Sequence, residues 1–332
     1  MLLFGFCLAL ACQWPSHQPL VPRAPMRAAP FAWRLPWSST ARASARQQLP
    51  ASGLTALEPQ MGWAEVASPQ PDWQEQLAGI IAMRRARDAP VDWSGTESIA
   101  ARSGPSGGLQ EQRMRFRALM GAMLSSQTRD PVTYAAVERL EVATARHGGL
   151  APTSLLEALT EPDLAALLKP VSFAARKAKY LRGAAEQLLA RHGGDVPRSA
   201  DEFLELPGVG PKMMTLLMQV CWGQVVGICV DTHVHRIANR LGWARTWSHG
   251  ASPRTGRPAS QRPERTRVEL ERWLPRELWQ PINPLLVGFG QQRCTALRPA
   301  CSGCSIRGLC PSAGDGVPPA ALDRAAGAGR PA

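Results

Sequence analysis

No run of this 332-residue chain is apolar for long enough to cross a bilayer as a helix, so a helical membrane span is excluded. Acid is missing from the start. Glu58 is the first carboxylate, whereas Arg23, Arg27, Arg34, Arg42 and Arg46 are scattered before it among Ala, Ser and Pro. That composition suits a mitochondrial transit peptide, with an unstructured extension as the alternative. The apolar opening Met1–Cys12 lacks the preceding positive charge of a secretory signal. Residues 1–70 are therefore set outside the fold as a disordered leader. Aromatics are scarce, 6% of residues, with two Tyr against 11 Trp. Alternation with period two is nearly absent, which argues against a sheet-based architecture. Cysteine is sparse and uneven: of eight, Cys7 and Cys12 lie in the leader, Cys221 and Cys229 in an apolar stretch, and four crowd into 294–310. A secreted disulfide framework would be shorter and denser in thiols.

What is present reads as helix. Apolar residues make up 45% of the chain, enough for a core at two-domain length. Helical spacing recurs in Trp73–Ile81, Arg115–Ser126, Asp130–Leu140, Leu155–Leu168, Arg176–Arg191 and Val268–Leu274. Ala101–Gly108 is a Gly/Ser/Pro loop, and Ser248–Pro263 is a polar, basic, Pro/Gly-rich insertion typical of a flexible loop. Val225–Val230 is either a short strand or a buried connector. The expected fold is all-α, with a segment over 71–113, a helical lobe over 114–240, a second lobe over 241–313 and a disordered tail over 314–332. Lys and Arg number 38 against 26 Asp and Glu, a net charge of +12 that favours a polyanionic partner such as nucleic acid.

Three constellations carry chemistry. Leu206–Lys212 (LPGVGPK) sits between a helix capped at Ser199, with Glu202 completing a capping box, and a second helix ending near Trp222. A helix-hairpin-helix over 199–222 turns backbone N–H groups of Gly208, Val209 and Gly210 towards a DNA phosphate at a positive helix end. Lys212 follows the turn at once. Left to itself it is a solvated or phosphate-contacting lysine; a helix N-terminus and neighbouring cations would lower its pKa, and partial burial would lower it further, making its neutral amine accessible as a nucleophile. Asp231 closes an apolar run and opens a helix, so it reads as an N-cap whose carboxylate is held in place. His233 and His235, two apart on a helix, diverge and do not make a two-His metal site. Cys294, Cys301, Cys304 and Cys310, with one C-x-x-C pair, form a metal-ligand pattern that leaves zinc and iron–sulfur open.

Taken together, Leu206–Lys212, Val230–His233 and the four-cysteine spacing resemble the endonuclease III family of helix-hairpin-helix DNA glycosylases. Leu124–Thr128 (LSSQT), Ile228–Leu241, Leu286–Gln292 (LVGFGQQ) and Asp72–Glu97 are similar to its eukaryotic members, and the likeness covers about residues 72–313. The resemblance implies a two-lobed helical fold and a [4Fe–4S] cluster on Cys294, Cys301, Cys304 and Cys310. It also implies double-stranded DNA carrying an oxidised pyrimidine or abasic site as partner. It assigns the nucleophile to Lys212 and the catalytic carboxylate to Asp231. A glutamine like Gln127 fills the gap left by a flipped nucleotide, and an apolar residue like Phe173 wedges the opposite strand. His233 joins the DNA-contacting set. The protein is expected to act as a monomer in nucleus and mitochondrion.

The resemblance implies a reaction in which Lys212 attacks C1′, expels the base and forms an imine from which the 3′-phosphate leaves by β-elimination. Two other readings stand beside it: a monofunctional adenine-mismatch glycosylase, and a non-catalytic DNA-binding protein. Three departures from the family pattern occur, one of them the Ser248–Pro263 insertion, which is longer than usual. Pro284 and Ser172 stand where glycine is usual, and Pro284 must then occupy a first helical turn or kink the helix.

Overall fold

A computed structural model of the protein describes residues 67–101, 108–247 and 263–313. Nearly all of the leader, the tail over 314–332 and most of the 248–263 insertion and of the 101–108 loop lie outside the described residues. Among those residues there are thirteen α-helices and no strand. They are α1 (Trp73–Met83), α2 (Pro90–Ser94), α3 (Thr96–Ala101), α4 (Gly108–Ser125), α5 (Asp130–Thr144), α6 (Pro152–Ala158) and α7 (Glu161–Leu168). There follow α8 (Ala174–His192), α9 (Ala200–Glu205), α10 (Pro211–Trp222), α11 (Thr232–Leu241), α12 (Pro263–Glu271) and α13 (Ile282–Gln292). None is long and apolar enough to cross a membrane.

Two separate cores organise the helices. The first runs from Ile99 to Cys221 and is built around α4, where every residue from Arg115 to Leu124 is buried. Two arginines in that run need partners, because an unpaired buried charge is costly. Arg115 takes Asp195 in a bidentate pair at 2.8 and 2.7 Å, and Arg117 takes Glu138 and Glu141. The second core joins Trp73, Leu77 and Ile80 of α1 to Ile228–Ala244 and Leu270–Ile306. Trp73 and Trp243 both meet Trp273 edge to face, at 5.3 and 6.0 Å. Gln76 donates to Leu309 O at 2.7 Å and accepts from Trp243 Nε1 at 2.5 Å, stitching the start of the described chain to its end.

The sequence reading put the lobe boundary at residue 240, but the cores divide between Trp222 and Ile228, so α11 belongs to the second core. The segment 71–113 likewise straddles both, with α1 in the second core and Ile99 in the first. Leu155–Leu168 is two helices rather than one. Thr160 accepts from Asp163 N and caps α7, with Pro162 in its first turn, and that start signal outweighs the continuous apolar spacing. Val225–Val230 is a connector. Ile228 N–H donates to Glu271 Oε1 at 2.7 Å, and Cys229 O accepts from Asn283 Nδ2 at 2.7 Å, in place of ladder partners.

Candidate functional site

A cleft of about 1610 Å³ opens beside both crossings of the chain between the cores. Lys212, Asp231, Gln127 and His233 all line it, together with Arg87, Glu97, Arg129, Asp130, Arg236 and Gln291. Each of the first four is placed by a helix end. Lys212 is the second residue of α10, after Gly210 at the N-cap and Pro211. Asp231 caps α11: its Oδ1 accepts the N–H groups of His233 and Val234, both at 2.8 Å, which fixes the carboxylate against rotation. Gln127 lies in the turn between α4 and α5 with φ of +52°, and a non-glycine residue held in that region marks a site the surroundings over-determine. His233 and His235 diverge as their spacing requires. His235 is buried, its Nδ1 at 2.6 Å from Thr266 Oγ1, whereas His233 faces the cleft with its Nδ1 at 3.1 Å from Arg236 Nη2.

Lys212 is exposed at the cleft, so its amine is reachable without any rearrangement of the fold. One expectation needs correction. Val209 offers no free backbone donor: its N–H is committed to Leu206 O at 3.1 Å and its side chain joins the first core. The rest of the hairpin keeps the expected form. Gly208 has φ of +82°, and a Cβ there would meet the Tyr180 ring at 2.6 Å, so both backbone and space demand glycine. Phe173 lies outside the cleft, 52% exposed, with φ of +58° at the start of α8. Its neighbour Ser172 donates from Oγ to Gln127 O at 2.7 Å, so the turns bearing Phe173 and Gln127 are tied together. Pro284 falls in the first turn of α13, where its missing N–H costs nothing.

Electrostatics tighten the cleft. Burial raises the Asp130 carboxyl above its ordinary range, and the neighbouring Asp231 adds to this, while the hydrogen bond from Gln291 Nε2 at 2.7 Å and nearby Lys212 oppose it. Burial lowers His233, and Arg236 and Lys212 act in the same sense against Asp231. Burial pushes the Cys229 thiol up to about 12, and that thiol feels Lys212, Asp231 and Glu97 together. Asp130, Glu97 and Gln291 escaped the motif reading because their partners are remote in sequence. A further unused signal is the scarcity of lysine: Lys169, Lys177, Lys179 and Lys212 are the only four among 38 basic side chains.

The four clustered cysteines follow α13 in a loop wound through two short 3-10 turns, Cys301–Gly303 and Arg307–Leu309. All are half-buried, and Cys294, Cys304 and Cys310 pack against the second core. Burial pushes the Cys310 thiol up to about 11, and repulsion from Cys294, Cys304 and Cys301 contributes, so the four are electrostatic neighbours. Arg240 Nη1 donates to Cys294 Sγ at 3.1 Å. Among the described residues no three His, Cys, Asp or Glu side chains converge as ligands of one ion. An all-thiol donor set suits a thiophilic group, a zinc ion or an iron–sulfur cluster alike.

Comparison with known proteins agrees with this geometry. Residues 120–257 match a family described as HhH-GPD superfamily base excision DNA repair protein. The chain is 47% identical over 242 residues to endonuclease III-like protein 1 of Bos taurus, spanning 73% of this chain and 72% of that protein. It is 45% identical over 245 residues to endonuclease III homolog 1, chloroplastic, of Arabidopsis thaliana, spanning 74% of this chain but only 60% of that relative's length. Among solved structures, a non-covalent endonuclease III–DNA complex superposes with a TM-score of 0.55 at 23% identity, covering 72% of this chain and 95% of that one. A trapped endonuclease III–DNA covalent intermediate gives 0.54 at 23%, covering 72% and 96%. At that identity the likeness carries the fold.

Proposed function

The chain belongs to the endonuclease III family of helix-hairpin-helix base excision repair proteins, and on that premise we propose that it is a bifunctional DNA glycosylase and abasic-site lyase for oxidised pyrimidines. The observation that carries the reading is that Lys212 and Asp231, nineteen residues apart, line one cleft, with the hairpin turn directly before the lysine. Duplex DNA lies across the cleft, with Gly208 and Gly210 near a phosphate and the net charge of +12 supplying long-range attraction. The damaged nucleotide swings into the cleft. Gln127 fills the vacated position and Phe173 wedges the opposite strand.

The neutral amine of Lys212 attacks C1′, the bond from C1′ to the base nitrogen breaks, and its electron pair leaves with the base. Asp231, held by two backbone N–H groups, stabilises positive charge at the sugar or accepts the lysine proton. Ring opening gives an imine between Lys212 Nζ and C1′. The imine acidifies C2′, a proton is lost there, and the 3′-phosphate departs as the C2′–C3′ double bond forms. Cys294, Cys301, Cys304 and Cys310 would hold a [4Fe–4S] cluster, whose contribution is to brace the loop that follows α13. The protein acts as a monomer in nucleus and mitochondrion, directed in part by its acid-free leader.

Borohydride trapping tests the reading. Wild type incubated with duplex containing an abasic site is expected to form a covalent adduct, and Lys212→Ala to form none. Only four lysines compete, so mapping the adduct is decisive. Asp231→Asn is expected to bind damaged duplex yet turn over at least tenfold more slowly. No adduct in wild type refutes lyase chemistry and returns the protein to a monofunctional or purely binding role, whereas an adduct in Lys212→Ala keeps the imine but refutes Lys212 as its nucleophile.

A further inference from the structure

Glu97 has no part in the chemistry at the sugar, yet it lines the same cleft. It stands in the first turn of α3. A carboxylate there ordinarily serves the helix end, and such a role lowers its pKa. Glu97 does the opposite. Glu97 is exposed to the open cleft, yet desolvation by the cleft walls raises its carboxyl above the usual range, with Asp92 acting in the same sense against Arg87 and Gln219. It turns away from its own helix to α10, where Gln219 Nε2 donates to Glu97 Oε1 at 3.1 Å.

The position of Gln219 locates Glu97 relative to the nucleophile. Lys212, Leu216 and Gln219 follow the i, i+4, i+7 rule and share one face of α10. Seven residues of helix advance about 10 Å along the axis, the scale of one nucleoside. Lys212 and Leu216 line the cleft, and Gln219, buried behind it, holds Glu97 at the far end of that face. Lys212, Asp231, Glu97 and Cys229 all line this one space. Beside Glu97 stands Arg87, also on the cleft wall and held with φ of +44°. Arg87, Gln127 and Phe173 are the only non-glycine residues with positive φ among those described, and strain of this kind gathers where the surroundings impose a working position.

We infer that Glu97 and Arg87 read the edge of the extruded base: Glu97 accepts the ring N3–H of a uracil- or thymine-type imide and Arg87 donates to an adjacent ring carbonyl. This rests on the proposed glycosylase reading, and it adds a specificity pair for the base to the pair that acts on the sugar. The chemistry selected is an imide edge, acceptor–donor–acceptor, whether or not the 5,6 double bond is intact. Ring saturation matters elsewhere, in the ease of extrusion.

The test separates base from sugar. Single-turnover base release is measured on duplex containing 5,6-dihydrouracil or its N3-methyl derivative, and strand cleavage on duplex with a preformed abasic site, which presents no base to read. Glu97→Ala is expected to slow release of dihydrouracil about tenfold to a hundredfold, the effect of losing a hydrogen bond to a charged group. Glu97→Gln, which keeps an acceptor without the charge, is expected to fall less. Cleavage of the abasic duplex by both variants stays within about twofold of wild type, which also reports that they fold. Wild type loses a comparable factor on the N3-methyl base, and Glu97→Ala is indifferent to that methyl group.

The inference is overturned if Glu97→Ala releases dihydrouracil at the wild-type rate, if base release and abasic cleavage fall together, or if wild type ignores the N3-methyl group. Absence of covalent trapping by wild type on the abasic duplex is a different failure. It refutes the lyase reading itself.

Discussion

Asp130 opens α5 and by position alone is a helix-start carboxylate. Its surroundings give it another meaning. Gln291, 161 residues away, donates to its Oδ2 at 2.7 Å, and Asp231 and Lys212 lie within electrostatic reach. Burial raises its pKa above the ordinary 3.8. The folded chain therefore holds this proton more tightly than the unfolded chain does. The stability this group contributes is complete below about 3.8 and is lost as pH rises through the raised value. At neutral pH the half-buried carboxylate is a cost that Asp130→Asn removes while keeping an acceptor for Gln291. The variant is expected to gain up to about 1 kcal/mol at pH 7, roughly 2–4 °C in Tm, with the gain vanishing below about pH 4. Thermal unfolding at both pH values checks this, and a gain that persists in acid would contradict it.

The same contrast explains what was legible beforehand. Lys212 and Asp231 could be found because each sits in a local pattern, a Gly-x-Gly turn and an N-cap, that declares itself within a few residues. The chemical roles of Asp130 and Glu97 are set by Gln291 and Gln219, 161 and 122 residues away, and a partner that distant leaves no spacing to read. The exposure of Lys212 was not legible in the sequence. A motif locates a residue on a helix but does not say how open the space in front of it is.

At the scale of elements, the turn between α4 and α5 is held from outside. Lys177 on α8, only 5% exposed, donates from Nζ to Leu124 O and Ser126 O at 2.7 Å each and to Thr128 Oγ1 at 3.1 Å. An ammonium at the C-terminal end of α4 complements that helix's dipole. Burial, with Arg176 nearby, lowers its pKa to about 8. Lys177→Met would leave two carbonyls without their donor, at roughly 2–4 kcal/mol. Ser172→Gly removes only the hydroxyl that joins the Phe173 and Gln127 turns, about 0.5–1.5 kcal/mol. Both variants are expected to speed amide hydrogen exchange over Gln127–Arg129, Lys177→Met far more. Equal exchange in the two would mean the turn is held by something other than these side chains. The helix pattern itself was readable here and the tie was not: only the folded chain brings the Ser172 hydroxyl to Gln127.

At the scale of the whole described fold, two cores meet at a cleft whose width must be set by something stiffer than loops. One crossing is anchored to α13: Arg84, 1% exposed, pairs with Asp92 at 2.7 and 2.6 Å and reaches Gln292 Oε1 at 3.2 Å. Gln291, one residue earlier, completes the link. Its Oε1 accepts Val91 N–H at 3.0 Å while its Nε2 donates to Asp130, so one side chain joins the crossing segment, the second core and the first. Gln291→Ala keeps both cores whole and cuts that link. Stability is expected to fall by about 1–3 kcal/mol, the cost of leaving buried polar groups unpaired. Lys212 and Asp231 come from opposite sides of the division, α10 and α11, so a displacement of one lobe by about 1 Å is enough to cost a hundredfold in rate. Single-turnover excision by Gln291→Ala is therefore expected to drop by more than tenfold while duplex affinity, which depends on surface charge, changes little. Excision and affinity falling in parallel would instead place Gln291 in DNA contact, and unchanged excision would show that the lobes hold their spacing without it.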